Sequence, residues 1–144
     1  GGQHAAIVLQ DLDDNAETSD ILYYDNIIYV TRCDEADSEK YSEARQVRIN
    51  EEDRTIEEVW TFGEDLGEAY FTKIIGSARY LTDNGNRLVN FGYREEGKTS
   101  SIMEVTEDGE TVLDVDLTDF PASAWAYRAE RFSLYNDNWT YQLG

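Results

Sequence analysis

The 144-residue sequence holds one histidine, His4, and one cysteine, Cys33, so few side chains could carry a reaction. A neutral imidazole nitrogen is a competent nucleophile or general base near neutral pH. A histidine near a chain end is otherwise an ordinary surface residue, and chemistry would need partners within reach. Asp25 and Asn26 close an aromatic run and could contact His4 across a hairpin, or simply turn the chain. Arg45 and Arg128 could hold an anion or orient a loop, or could pair with nearby carboxylates. One cysteine cannot form an internal disulfide or build a zinc cluster. The Asp11-Leu12-Asp13-Asp14-Asn15 run is like the start of a calcium loop. It lacks glycine at the sixth position and places Leu22 where the bidentate glutamate belongs, so no metal site is expected.

Charge narrows the ligand further. Asp and Glu number 31 against 12 Lys and Arg, for a net charge of −19. Nucleic acid and anionic lipid are excluded as partners, because both need a basic footprint to displace counterions. The acidic surface favours solubility by self-repulsion and opposes long-range steering of an anionic ligand. Any cationic site must therefore be local. No run of roughly eighteen apolar residues is present, so no membrane insertion is expected. Gly1-Gly2-Gln3-His4 lacks the regions of a signal peptide, so the start of the sequence does not assign a compartment. Ten Tyr, five Phe, three Trp and a single proline, Pro121, mark a folded chain of one domain's length.

The elements that must position these groups read as all-β. Ala5 to Leu9 is an apolar strand followed by a polar loop from Asp11 to Asp20. Ile21 to Asp25 and Ile27 to Val30 are rich in β-branched and aromatic residues, which suit a half-buried pleated surface. An exposed loop follows over Asp34 to Lys40. Ser42 to Asn50 and Thr55 to Phe62 flank a charged turn, Glu51 to Arg54. Gly76 to Leu81 and Arg87 to Phe91 flank Thr82 to Asn86, whose Asn84-Gly85 pair tolerates the positive φ of a tight hairpin. Ile102 to Val105 and Thr111 to Val115 flank Glu107-Asp108-Gly109-Glu110. Helical spacing over Thr61 to Lys73 is weakened by Gly63 and Gly67, so an ordered loop with room for one turn is expected. Trp60, Trp125 and Trp139 read as core and interface packing.

The hairpins Val47 to Val59 and Val105 to Val115 are alike: a strand, an acidic turn, then Thr with Ile or Val. Their separation, about 57 residues with another hairpin between, is what four-stranded propeller blades produce. Pattern alone leaves a β-sandwich open.

Glu58-Val59-Trp60-Thr61-Phe62-Gly63-Glu64-Asp65-Leu66-Gly67-Glu68-Ala69-Tyr70-Phe71-Thr72 resembles the Val-Trp-x-(Tyr/Phe)-Gly-x-x-x-Gly-x-x-(Tyr/Phe)-(Tyr/Phe)-(Ser/Thr) stretch of bacterial arylsulfotransferases (arylsulfate sulfotransferases). The Asn84-Gly85-Asn86 hairpin and Tyr127-Arg128-Ala129 resemble the family's next hairpin and its closing Tyr-Arg-Ala strand. Gln3-His4 is similar to its Gln-His segment, and Tyr24-Asp25-Asn26 to its Phe-Asp-Asn. The chain departs from the family in a longer acidic loop, Asp11 to Asp20. It also carries Glu43 where members have Arg after Tyr-Ser, which would take one cation from the site. The resemblance implies a six-bladed β-propeller with residues 1–144 as a C-terminal portion, about two blades plus closing strands. It implies His4 as the nucleophile that is transiently sulfated and no cofactor, and of the candidate residues it carries over His4 alone; Arg45, Arg128, Asp25 and Asn26 stay supporting candidates on their residue types. Aryl sulfate and phenol would be the small-molecule partners, and the cell envelope, periplasm or exterior the location.

Two readings follow. In one, the chain belongs to a sulfotransferase whose other site residues lie in earlier blades, and it is inactive by itself. In the other, it is a non-catalytic β-propeller-like structural or protein-interaction module, because no complete catalytic constellation lies within these residues. In either case exposed strand edges would favour a homodimer.

Overall fold

Short runs of alternating apolar and polar residues, broken by Asn, Asp and Gly, favour pleated strands over helices. The computed structural model describes residues 2–9, 12–27, 41–121 and 123–133. The strands are β1 (Gln3–Val8), β2 (Thr18–Asp25), β3 (Glu43–Asn50), β4 (Thr55–Phe62), β5 (Ser77–Tyr80), β6 (Arg87–Arg94), β7 (Thr99–Val105) and β8 (Thr111–Leu117). They form two four-stranded sheets, ordered β1-β2-β3-β4 and β5-β6-β7-β8, and every pairing is antiparallel. Each is a meander in which a strand pairs with its successor, an arrangement consistent with propeller blades. No helix of the described residues is long and apolar enough to cross a membrane.

The core lies between the sheets. Leu22, Tyr24, Ala44 and Trp60 of the first meet Ala78, Val89, Phe91, Met103 and Val105 of the second. Tyr24 and Phe91 are fully buried and pack edge to face, ring centroids 5.7 Å apart, the geometry that aligns a ring's positive edge with a negative face. A smaller cluster of Leu81, Leu88 and Ala129 joins the C-terminal segment to the second sheet.

The turns behave as their residues dictate. Gly85 and Gly109 take φ of 77° and 83°, positions that a Cβ would disfavour. The two similar hairpins are the outer β3–β4 and β7–β8 pairs. Each carries a register shift at its inner member, at Gln46/Val47 and at Glu104/Val105, so the repeat extends to the backbone irregularity.

Several expectations need adjustment. Glu64–Tyr70 forms two short 3₁₀ turns broken at Gly67 (φ 60°, ψ −155°), more order than a loop with one turn. Tyr127-Arg128-Ala129 forms no strand: the Ala129 N–H donates to the Ser77 side chain at 3.2 Å rather than to a backbone carbonyl. Trp125 is 46% exposed and packs edge-on against Tyr93 and beside Gly97, so among the described tryptophans only Trp60 is core. Ile27 takes φ 50°, so β2 does not lead into a strand there. Asp11, Ile28 to Val30, Cys33, Asp34 to Lys40 and Trp139 lie outside the described residues.

Candidate active site

His4 is placed by β1, and β1 by its pairing with β2. Gln3 stands opposite Asp25 and His4 opposite Tyr24. The Gln3 side-chain amide donates to Asp25 Oδ2 at 2.8 Å, pinning the start of the strand. Residues directly opposite in an antiparallel pair share a face. His4 is therefore on the Tyr24 face, turned toward the second sheet. Immediately after it the register slips, with Ala5 and Ala6 opposing Tyr23 alone between the His4–Tyr24 and Ile7–Leu22 pairs. Ala5 takes φ 52°, a left-handed backbone that costs a residue with a Cβ about 1 kcal/mol. Such bulges re-aim side chains beside functional sites.

Tyr24, the strand partner of His4, is fixed by a buried polar network. The Tyr24 hydroxyl is 2.7 Å from Thr72 Oγ1. The Asn26 side-chain amide donates to the Thr72 carbonyl at 2.6 Å and to Thr72 Oγ1 at 2.8 Å. Thr72 N–H donates to Ser42 Oγ at 2.9 Å. Burial raises the Tyr24 phenol above its ordinary range, so it stays neutral and hydrogen-bonding. Gly76 completes the arrangement: a Cβ there would overlap the Tyr24 ring. The chain thus passes close over Tyr24 as it enters β5, the strand that carries Arg79.

A cleft of about 220 Å³ results, lined by His4, Ala5, Ala6, Ile7, Gly76, Arg79, Tyr127 and Arg128. His4 and Arg128 therefore meet, although 124 positions separate them in the chain (128 − 4). The other candidates do not line it. Asp25 holds Gln3 and accepts the Ile27 N–H at 2.9 Å, which is its turn-forming role. Asn26 is spent on Thr72 and on the Ile75 carbonyl, tying β2 to the connector between the sheets. Arg45 stands opposite Tyr23, on the other face of the first sheet. There it is paired with Glu43, and with Glu58 at 3.4 Å. Burial raises the Glu43 carboxyl, and the Arg45 hydrogen bond pulls it the other way.

Arg79 is the lining residue that sequence reasoning missed. Within Gly76 to Leu81 it reads as the polar member of an ordinary alternation, and only the convergence of three chain segments gives it meaning. The available signal was positional: like His4 in β1, it lies in the first strand of its sheet.

The Trp60 to Thr72 stretch does not line this cleft and supports it from behind. Gly63 takes φ 135°, and a Cβ there would overlap the Ser42 carbonyl oxygen. Tyr70 packs on Phe91 at 5.4 Å and lies beneath the Arg94 guanidinium at 4.0 Å. Thr72 is the hub of the buried network. Trp60 flanks Arg87, whose guanidinium carbon is 4.9 Å from its ring centre while Nη2 donates to Gln46 at 2.8 Å across the sheets.

Among protein families, the one described as Arylsulfotransferase (ASST) matches residues 1–128. No curated protein matches the chain.

Proposed function

The chain belongs to the arylsulfotransferase family, and we propose that His4 is the group that takes and passes on the sulfuryl moiety. A ring nitrogen of neutral His4 attacks the sulfur of an aryl sulfate. The sulfur–oxygen bond to the ring breaks and its electron pair leaves as phenolate, a weak base and therefore a good leaving group. The imidazole N–H proton passes to solvent as the nitrogen–sulfur bond forms. An acceptor phenol then attacks the same sulfur and loses its proton to a base. The nitrogen–sulfur pair returns to the ring, which regains a proton. The sum moves one sulfuryl group from aryl sulfate to phenol, with no redox change and no nucleotide consumed.

The observation that carries this reading is the company His4 keeps: two arginines in one small cleft of a chain with net charge −19. Cations fixed beside the reacting sulfur would stabilise the charge on its oxygens, which is where such transfer needs help. The strained bulge at Ala5 supports the same site. Two sheets do not close a ring, so the reading includes further blades that complete the pocket and supply the remaining donors.

The test is transfer from p-nitrophenyl sulfate to a phenol by the intact protein and by its His4→Ala variant. Loss of at least about 10³-fold in kcat is expected for removal of a nucleophile. Undiminished turnover by a folded variant would remove His4 from the mechanism.

A further inference from the structure

Most arginines elsewhere in the described structure are held by carboxylates or aromatic rings. Arg48 pairs with Asp13 and Asp20, Arg94 with Asp116, Arg131 with Asp83 and Glu104, and Arg45 with Glu43 and Glu58. Arg87 lies between the Trp60 and Tyr80 rings. The cleft differs. Arg79 Nη2 donates to Glu130 Oε1 at 2.7 Å, and Arg128 Nη1 is 3.8 Å from that same oxygen. Two guanidiniums thus share one carboxylate beside His4, leaving an excess of positive charge where most of the surface is acidic. Arg79 Nε, like Arg45 Nε and Arg87 Nε, is buried and finds no hydrogen-bond acceptor among the described residues, and of the three only Arg79 lines the cleft. A buried donor without an acceptor is unfavourable, and a guanidinium edge suits two oxygens at once.

We propose that Arg79 is an anion-binding, specificity-determining residue of this cleft, held by Glu130 when the site is empty and released to the sulfuryl oxygens when aryl sulfate enters. The proposal rests on the cleft being the reaction site, as above. Glu130 is 54% exposed at its side chain, so it can swing to solvent at little expense, whereas Arg79 is fixed on β5. Exchange of one oxyanion for another leaves the net charge of the cleft unchanged. Arg79 and Arg128 would then favour an anionic sulfate ester over a neutral phenol of the same shape. This ordering suits a site that must bind donor before acceptor.

Because His4 is the sole histidine, its imidazole carbon-bound protons give isolated NMR signals. Titration with p-nitrophenyl sulfate and, separately, with phenol follows both ligands at the cleft. Arg79→Gln should weaken sulfate-ester binding about tenfold or more, the worth of a charge-assisted hydrogen bond, and leave phenol binding unchanged. Arg79→Lys should recover part of the loss. Glu130→Gln, which removes the competitor, should tighten the ester severalfold. Equal sulfate-ester affinity in Arg79→Gln, or equal weakening of ester and phenol, would overturn the proposal. So would the absence of any ester-induced shift at His4 in the wild type. Arg79-dependent binding without transfer through His4 would uphold this proposal and sink the nucleophile. Transfer through His4 with Arg79-independent binding would do the reverse.

Discussion

The connector between the sheets and the cleft at their inner edge are built from opposite materials. In the connector, Thr72 is fully buried and hydrogen-bonded to Tyr24, Asn26 and Ser42 of the first-sheet segments, and Gly63 takes a backbone that only glycine adopts easily. In the cleft, cations share a single carboxylate and Arg128 is 55% exposed. Polar groups that bond one another in a dry interior make rigid structure, while exposed guanidiniums that share one carboxylate can serve a ligand. The connector holds Tyr24 and β5 in place so that the cleft can remain under-satisfied.

If that contrast is right, substitutions should separate stability from binding. The largest effect is expected at Gly63→Ala, where the Cβ meets the Ser42 carbonyl oxygen and the Glu43 Cα at 2.9 Å. A loss on the order of 3 kcal/mol is anticipated from overlap and backbone strain together. It should be read as a lower urea midpoint at unchanged m, with aryl sulfate affinity of the folded protein preserved. Parallel losses of stability and affinity would erase the distinction.

A medium effect concerns pH, and its sign differs between two carboxyls. Glu104 anchors the segment that bears Arg128, accepting from Arg131 at 2.8 Å. The hydrogen bond from Asn86, then those from Asn84 and Arg131 and the Arg131 charge, hold its carboxyl below the usual range. Its folded form therefore favours the ionised state. That stability is present above the ordinary carboxylate range and is lost as pH falls through the folded value. Glu43, beside the connector, is raised chiefly by burial. Its ionisation lowers stability as pH climbs from the ordinary carboxylate range to the raised value. In urea midpoints measured against pH, Glu104→Gln should flatten the acid-side loss and Glu43→Gln the opposing decline. Identical profiles for both variants would show that neither environment is as described.

The smallest effect is expected at Ala5→Gly. Glycine relieves the φ of 52°, so stability should rise by up to about 1 kcal/mol, while aryl sulfate affinity falls severalfold as His4 loses its fixed direction. A gain in both would mean that the bulge has no bearing on the cleft.

Much of the fold could be read from the chain because its signals are local. Asn84-Gly85 and Asp108-Gly109 turn where glycine permits, and the paired outer hairpins reveal the repeat. His4 and Arg128 were legible only through short motifs similar to those of a family. Arg79 and Thr72 were not, because their significance depends on contacts across sheets. Thr72 is the last residue of the most recognisable motif, yet no spacing in the chain says that it bonds to Asn26, 46 positions earlier. Arg45 looked equivalent to Arg128 as a loose cation. Strand alternation sends it to the opposite face, beside Glu43.

The central claim is that His4 carries the sulfuryl group between donor and acceptor. The intact protein, mixed with p-nitrophenyl sulfate without acceptor and quenched in alkali, can be digested and its peptides weighed. One SO₃ unit on the peptide containing His4, formed with release of nitrophenolate and lost when phenol is added, is the result expected. Nitrophenolate release and turnover with that peptide unmodified throughout, or with the adduct on another residue, would contradict it.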